Sequence, residues 1–223
     1  MTHAPKLMRA IDKAWQRHEA PRGYLGASSL GGPCSRQLWY GFRWATKKAF
    51  PPRVLRLFDR GNREEEVFEN LLREAGVTFY SRDPATNTQF VVKFPNPHIG
   101  GHCDGVGEGL PDLPPGTAFT GEWKTHNHKS FSELVRKGVR DSKPQHFVQM
   151  QLYMHRLELK WALYGAVNKN DDHLYWELVP YEENIATAFE TRGNVIAYTL
   201  APPDRINENP GWYQCKFCDH HAV

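Results

Sequence analysis

The 223-residue sequence has no run of eighteen apolar residues, which excludes an ordinary membrane-spanning helix. It also lacks an apolar segment near Met1, so nothing reads as a secretion signal, and a cytoplasmic setting, in a bacterial cell or as a phage protein, is expected. Only four cysteines are present, at scattered spacing, which is too few for a disulfide scaffold. Net charge is small, +3, but unevenly spread: residues 1–60 carry twelve Lys/Arg against three acids, +9, leaving −6 for the remainder. A basic third joined to an acid-rich remainder suits a polyanionic partner docked beside a cation site, although a plainly solvated basic surface has the same composition.

The informative stretch is Gly101-His102-Cys103-Asp104-Gly105-Val106, followed by Phe119-Thr120-Gly121-Glu122-Trp123-Lys124-Thr125. Strand side chains alternate, so Glu122 and Lys124 share one face while Phe119, Gly121 and Trp123 share the other. If the strand bearing Asp104 pairs with it, two carboxylates and an amine gather in one place. Clustered carboxylates repel and attract a divalent cation, and a lysine beside them can position water for phosphodiester hydrolysis. A solvated sheet face with cross-strand ion pairs is the ordinary alternative for such short motifs.

Around this stretch the pattern predicts mixed α/β structure. An amphipathic helix built on Leu7, Ile11 and Trp15 ends at Pro21, and Gly23–Pro33 is a loop. Cys34 opens a helix carrying Arg36 and Arg43 among aromatics, a combination that stacks bases and holds phosphates but is also common in cores. A long helix spans Val54 to Ala75 with Gly76 at its C-cap; its buried face is Val54, Leu57, Phe58, Phe68, Leu71, Leu72 and Ala75, with Glu64 and Glu65 on the shoulders. Residues 77–80, 88–94 and the Asp104 strand read as a three-stranded meander. His126 and His128 fall in a following loop, and a short helix covers 130–138. The helix from Lys143 or Pro144 to Leu159 is apolar on two sides and so lies between layers. Its polar shoulder, Gln149, Tyr153, Arg156 and Lys160, lines up as a rail for phosphates. Strands over 161–167 and 173–179 and a helix over 181–200 complete the core. The tail ends Cys215-Lys-Phe-Cys218-Asp-His220-His221-Ala-Val.

Helix with Gly61-x-x-x-Glu65, strand with Gly101-x-x-Asp104, strand with Glu122-x-Lys124 and helix with Gln149-x-x-x-Tyr153 follow in order. The sequence thereby resembles the PD-(D/E)xK nuclease superfamily, in particular its RecB-type exonuclease branch, which includes phage recombination exonucleases and iron–sulfur adaptation nucleases. The resemblance implies a restriction-endonuclease-like mixed sheet flanked by helices over residues 54–200, a basic helical segment over 1–53, and a tail over 201–223 packing back on that segment. It implies Mg2+ or Mn2+ held by Glu65, Asp104, Glu122 and the Trp123 carbonyl, with Lys124 acting on water. Gln149, Tyr153, Arg36, Arg43, Arg156 and Lys160 are expected to contact DNA. It further implies that Cys34, Cys215 and Cys218, with His220 or His221 in place of a fourth cysteine, hold a 4Fe-4S cluster or Zn2+. Cys103 is expected to be a small core residue. The implied activity is DNA exonuclease in recombination, repair or phage DNA processing, with a single-strand annealing protein or another recombination protein as partner. The alternatives are an inactive DNA-binding subunit, a site-specific endonuclease of the same superfamily, or an unrelated hydrolase of small phosphorylated molecules.

Overall fold

Strand β6, Phe119–His126, is the centre around which the chain is built. In the computed structural model, which describes residues 3–16, 22–46 and 49–223, it lies in a five-stranded sheet of order β2-β5-β6-β7-β8. Here β2 is Thr78–Tyr80, β5 Gly105–Glu108, β7 Trp161–Asn168 and β8 Leu174–Pro180. All pairs are antiparallel except β6–β7, where Glu122 lies opposite Tyr164 and Lys124 opposite Ala166. That parallel pair requires a crossover, supplied by α5 (His128–Ser142) and α6 (Pro144–Leu157). The sheet is thus mixed and flanked by helices.

The alternation read from the sequence holds. On one face Trp123 packs against Phe68 (rings stacked, 5.2 Å) and Phe79 (5.1 Å). Bare positions at Gly121 and Gly165 make room for its ring, since a Cβ there would meet indole carbons at 2.4 and 2.7 Å. Phe68 and Leu72 come from α4, Pro52–Glu74, whose C-terminal half lies on this face. The helix stops where Gly76 takes φ +79°, a left-handed turn favourable to glycine. Its N-terminal half departs from expectation: Leu57 and Phe58 are exposed and Leu55 is buried instead, and at the other end Ala75, the C-cap residue, is exposed as well.

On the other face lies α6, buried along its whole span from Phe147 to Met154. Phe147, Met150 and Met154 join one core cluster, and Val148, Leu152 and Tyr153 another, so the helix is sandwiched as its two apolar sides require. The second cluster is roofed by α7, Glu183–Tyr198.

The expected meander is not formed. A separate three-stranded sheet, order β1-β4-β3, takes β4 (Ile99–His102) between β1 (Leu25–Gly26, parallel) and β3 (Val91–Lys93, antiparallel). The Gly101–Val106 stretch therefore serves two sheets, broken at Cys103-Asp104, and Asp104 sits on the bend rather than in a strand. Gly105, with φ +155°, resumes the chain as β5. Cys103 is fully buried in the core.

At the N-terminus α1 spans Pro5–Ala14 and buries no side chain; Pro21, expected to end it, lies outside the described residues. The Gly-rich loop contains a single turn, α2 (Ala27–Leu30), whose Ala27 and Leu30 are buried. Then α3, Ser35–Phe42, starts at Cys34, whose sulfur accepts the Gln37 amide. The tail, with its short α8 (Tyr213–Lys216), returns to α3: Arg36 Nε donates to the Pro203 carbonyl (2.6 Å), and His220 Nδ1 lies 2.7 Å from Thr46 Oγ1. Among the described residues no helix is long and apolar enough to cross a membrane.

Candidate active site

Glu122 and Lys124 leave the α6-facing side of β6. The register Gly105↔Gly121 brings the preceding bend beside them, and Asp104 Oδ2 accepts the Trp123 amide at 2.7 Å. One backbone hydrogen bond thus fixes the aspartate against the strand that carries Glu-x-Lys. The Lys124 ammonium lies among three oxygens: it donates to the Trp123 carbonyl (3.0 Å), lies 4.0 Å from Asp104 Oδ2, and pairs closely with Glu122 Oε1. Three oxygens converging on one positive charge are the donor set of a cation site.

Burial sharpens this electrostatics. Glu122 has no exposure. Its Oε2 accepts from Gln149 Nε2 at 2.8 Å, whereas Oε1 is held by the charge-paired Lys124 ammonium. Burial pushes its carboxyl up to about 8, against the opposing pull of Lys124 and with Asp104 adding. For Lys124 burial works downward, but the Glu122 and Asp104 carboxylates outweigh it and hold the ammonium above the usual lysine range. From α4, Glu65 joins the same field: burial raises it to about 7, Asp104 adds, and Lys124 opposes. Glu65 is thus a shoulder glutamate that feels the cluster.

On α6, Gln149 and Tyr153 are successive-turn neighbours facing the cluster, with Gln149 Nε2 3.4 Å from the Tyr153 hydroxyl. Tyr153 crosses directly over Gly101, where a Cβ would stand 2.6 Å from its oxygen. The glycine of Gly-x-x-Asp is therefore a spatial requirement. Beside these residues opens a cleft of about 270 Å3, with Arg22, Tyr24, Asn62, His102, Gln149 and Tyr153 in its walls.

The expected rail divides. The helix ends at Leu157 with Glu158 left-handed (φ 57°), so Lys160 lies beyond it, over the Tyr181 ring. Arg156 turns to Glu190 of α7 (3.6 Å). The two arginines of the Cys34 helix are likewise turned away from the cluster. Arg43 donates to the carbonyls of Ile196, Ala197 and Thr199, the orphan acceptors at the end of α7, and Arg36 to Pro203. Of the six residues expected at DNA, the structure brings only Gln149 and Tyr153 to the cluster.

Sequence reading also missed a buried polar string behind the site. His126, expected in a loop, is the last residue of β6, with Nε2 3.0 Å from the Tyr164 hydroxyl and Nδ1 3.0 Å from Ser130 Oγ. His146 Nδ1 lies 2.9 Å from the same hydroxyl. Burial, with nearby lysines adding, lowers His126 to about 4 and His146 to about 3, so both are neutral at pH 7. The signal was available: His126 continues the alternation Glu122, Lys124 on the α6-facing side.

Cys34, Cys215, Cys218 and His220 line one small pocket between α3 and the tail, with His220 buried and His221 exposed at its rim. Among the described residues, no three His, Cys, Asp or Glu side chains are already arranged to hold an ion, here or at the carboxylate cluster.

By sequence, no protein-family profile and no curated protein matches the chain. Solved structures do. The alkaline exonuclease LHK-Exo from Laribacter hongkongensis is similar at TM-score 0.56 and 16% identity, over 83% of this chain and 90% of that one. SSO0001 is similar at TM-score 0.58 and 13% identity, over 98% and 95%. A phage-related exonuclease from Haemophilus somnus 129PT is similar at TM-score 0.52 and 11% identity, over 83% and 94%. The chain shares the fold of these structures, a restriction-endonuclease-like mixed sheet flanked by helices. Within that fold, Asp104, Glu122 and Lys124 lie together at the bend and central strand, with Glu65, Gln149 and Tyr153 approaching from two helices.

Proposed function

We propose that the chain is a divalent-metal-dependent deoxyribonuclease that removes nucleotides from DNA ends, acting in recombination, repair or phage DNA processing, where a single-strand annealing protein is a natural partner. The observation that carries this reading is the convergence of Asp104 Oδ2, the buried Glu122 and the Trp123 carbonyl on one positive charge. An all-oxygen set with two carboxylates fits Mg2+ or Mn2+. When bound there, with Glu65 alongside, such an ion supplies Lewis-acid polarisation of the scissile phosphate and lowers the pKa of water.

The chain's own residues supply the rest. The Trp123 amide holds Asp104 in place, and Gln149 holds Glu122. Lys124 keeps a positive charge beside both carboxylates, where it orients the attacking water and offsets negative charge on the phosphorane-like transition state. Tyr153 and Gln149 form the wall along which the nucleic-acid backbone lies. The cleft with Arg22 is the approach to this wall. Activity at ends is favoured over site-specific cutting because both named exonucleases share the fold over more than four-fifths of this chain.

The test is digestion of end-labelled linear and covalently closed DNA with Mg2+, Mn2+ or EDTA. Nucleotide release from linear DNA alone, abolished by EDTA, supports the reading; nicking of closed circles favours an endonuclease, and no hydrolysis leaves a binding subunit. We further propose that Cys34, Cys215, Cys218 and His220 hold a 4Fe-4S cluster or Zn2+ that clasps the tail to α3. Iron and zinc analysis with the visible spectrum of the purified protein decides between them; absence of both contradicts the proposal.

A further inference from the structure

Helix α3 ends in a conformation that its residue does not favour. Past the last helical residue, Phe42, the Trp44 amide donates to the Gly41 carbonyl (3.3 Å) and the Ala45 amide to the Tyr40 carbonyl (3.0 Å), the paired closure of a Schellman turn. Such a turn needs one left-handed residue, usually glycine. Here that residue is Trp44, with φ 52°. A side chain of this size is strained in the left-handed region, and the turn gains nothing from it. Nor does the core account for the indole, since Trp44 is 54% exposed. What the indole adds is a hydrogen bond: Nε1 donates to the main-chain carbonyl of Arg22 at 3.1 Å, twenty-two residues earlier.

Arg22 is the residue through which that bond matters. It lines the cleft together with Gln149 and Tyr153, and among the described residues of the cleft wall it is the only lysine or arginine. Its Nη1 lies 3.2 Å from where a Cβ on Gly26 would stand, so the guanidinium folds back over the bare backbone that leads into α2. Arg36 and Arg43, from the same basic segment, spend their donors on the carbonyls of Pro203 and of α7. Downstream, the Arg22 segment is fixed by β1, where Leu25 and Gly26 pair with Ile99 and Gly100. At Arg22 itself the hold on the main chain is the Trp44 indole. A loop held at both places presents its side chain ready-made, whereas one held at a single place must be ordered on binding, which subtracts from affinity. We infer that Trp44 is a positioning residue, whose strained turn aims the indole at the Arg22 main chain so that the guanidinium stands in the cleft to meet a backbone phosphate. The inference rests on the reading of that cleft as the DNA approach of a nuclease.

The experiment follows the anisotropy of a dye-labelled linear duplex in EDTA, which prevents cutting, over a series of salt concentrations. Arg22→Ala is expected to weaken binding by roughly 10-fold or more and to flatten the dependence of log affinity on log salt by about 0.9, one phosphate contact. Trp44→Phe keeps a ring without the N–H, and Trp44→Gly supplies the residue that the turn favours. Both are expected to bind roughly 5-fold more weakly than wild type, the factor for one neutral hydrogen bond, with the salt slope flattened in the same direction. In the double variant Arg22→Ala/Trp44→Gly affinity should equal that of Arg22→Ala alone. Melting curves establish that each variant is folded; a tryptophan serving the turn alone would change melting and leave the salt slope as it was. Unchanged affinity in both Trp44 variants, an unchanged slope, or a Trp44→Gly loss that persists undiminished in the Arg22→Ala background overturns the inference. Hydrolysis with Mg2+, measured separately on wild type, keeps the two readings apart. Cutting without coupling between Trp44 and Arg22 removes the positioning role alone, and coupling without cutting removes the nuclease reading alone.

Discussion

The contact between Gly101 and Tyr153 offers a perturbation whose size follows from the geometry. In Gly101→Ala the new Cβ stands 2.6 Å from the Tyr153 oxygen, 2.7 Å from Cε1 and 3.0 Å from Cζ, all inside normal contact distance. Neither side can yield easily. Gly101 is paired to Val92 in the second sheet, and Tyr153 is 2% exposed within the cluster that includes Leu30, Val92 and Ile99. Overpacking of this kind costs about 1–3 kcal/mol, and for a domain of this size the midpoint of thermal unfolding falls by about 2–4 °C per kcal/mol. The displaced tyrosine pushes on Gln149, which holds Glu122 Oε2. A shift of an ångström in a catalytic group costs about 100-fold in rate, so digestion of linear DNA should fall by that order while the protein stays folded at 25 °C. Thermal unfolding and single-turnover digestion are the assays. An alanine variant with wild-type melting and wild-type rate would show that Tyr153 does not sit over this glycine and that its hydroxyl does not govern the cluster.

Three further outcomes are expected. Arg43→Ala removes three charge-assisted hydrogen bonds from the end of α7, so it should destabilise the fold by about 2 kcal/mol and leave DNA affinity at 25 °C unchanged; weaker binding with unchanged stability would return this arginine to the DNA. His126 is buried neutral, so its contribution is present above the unfolded value near 6.5 and is lost as pH falls toward about 4. The raised carboxyls of Glu65 and Glu122 act with the opposite sign, so the quantity to measure is the stability gap between wild type and His126→Gln. That gap should narrow by on the order of 2 kcal/mol between pH 7 and pH 5, and a constant gap would mean that the imidazole is not held neutral. Glu65→Gln should lower the digestion rate far more than Glu64→Gln, since Glu65 shares the field of Asp104 and Lys124; equal effects would contradict that placement.

What the sequence revealed and what it concealed have physical reasons. The α6-facing residues of β6 were legible because alternation in a strand is strict, and α4 was legible because Gly76 and an apolar stripe mark its end. Asp104 was correctly associated with Glu122 but on the wrong kind of element, because a two-residue break between strands of different sheets leaves no periodic trace. The partner of β4 is the two-residue β1, too short to be distinguished from the loop around it. Arg43 and Arg156 carry the residue type of phosphate binders, yet their tasks at the carbonyls and carboxylate of α7 depend on a helix about 150 and 30 residues away in sequence. Lys160 leaves the expected polar row for a local reason: Glu158 adopts a left-handed conformation that nothing in its neighbours foretells.

The most direct measurement is the rate at which purified protein releases nucleotides from end-labelled linear DNA with Mg2+, for wild type, Asp104→Asn and Glu122→Gln, with DNA affinity measured in parallel. Wild-type release that EDTA stops, lost by at least about 100-fold in both variants while affinity is retained, is the predicted result. Near-wild-type release by either variant would contradict the assignment of the cluster.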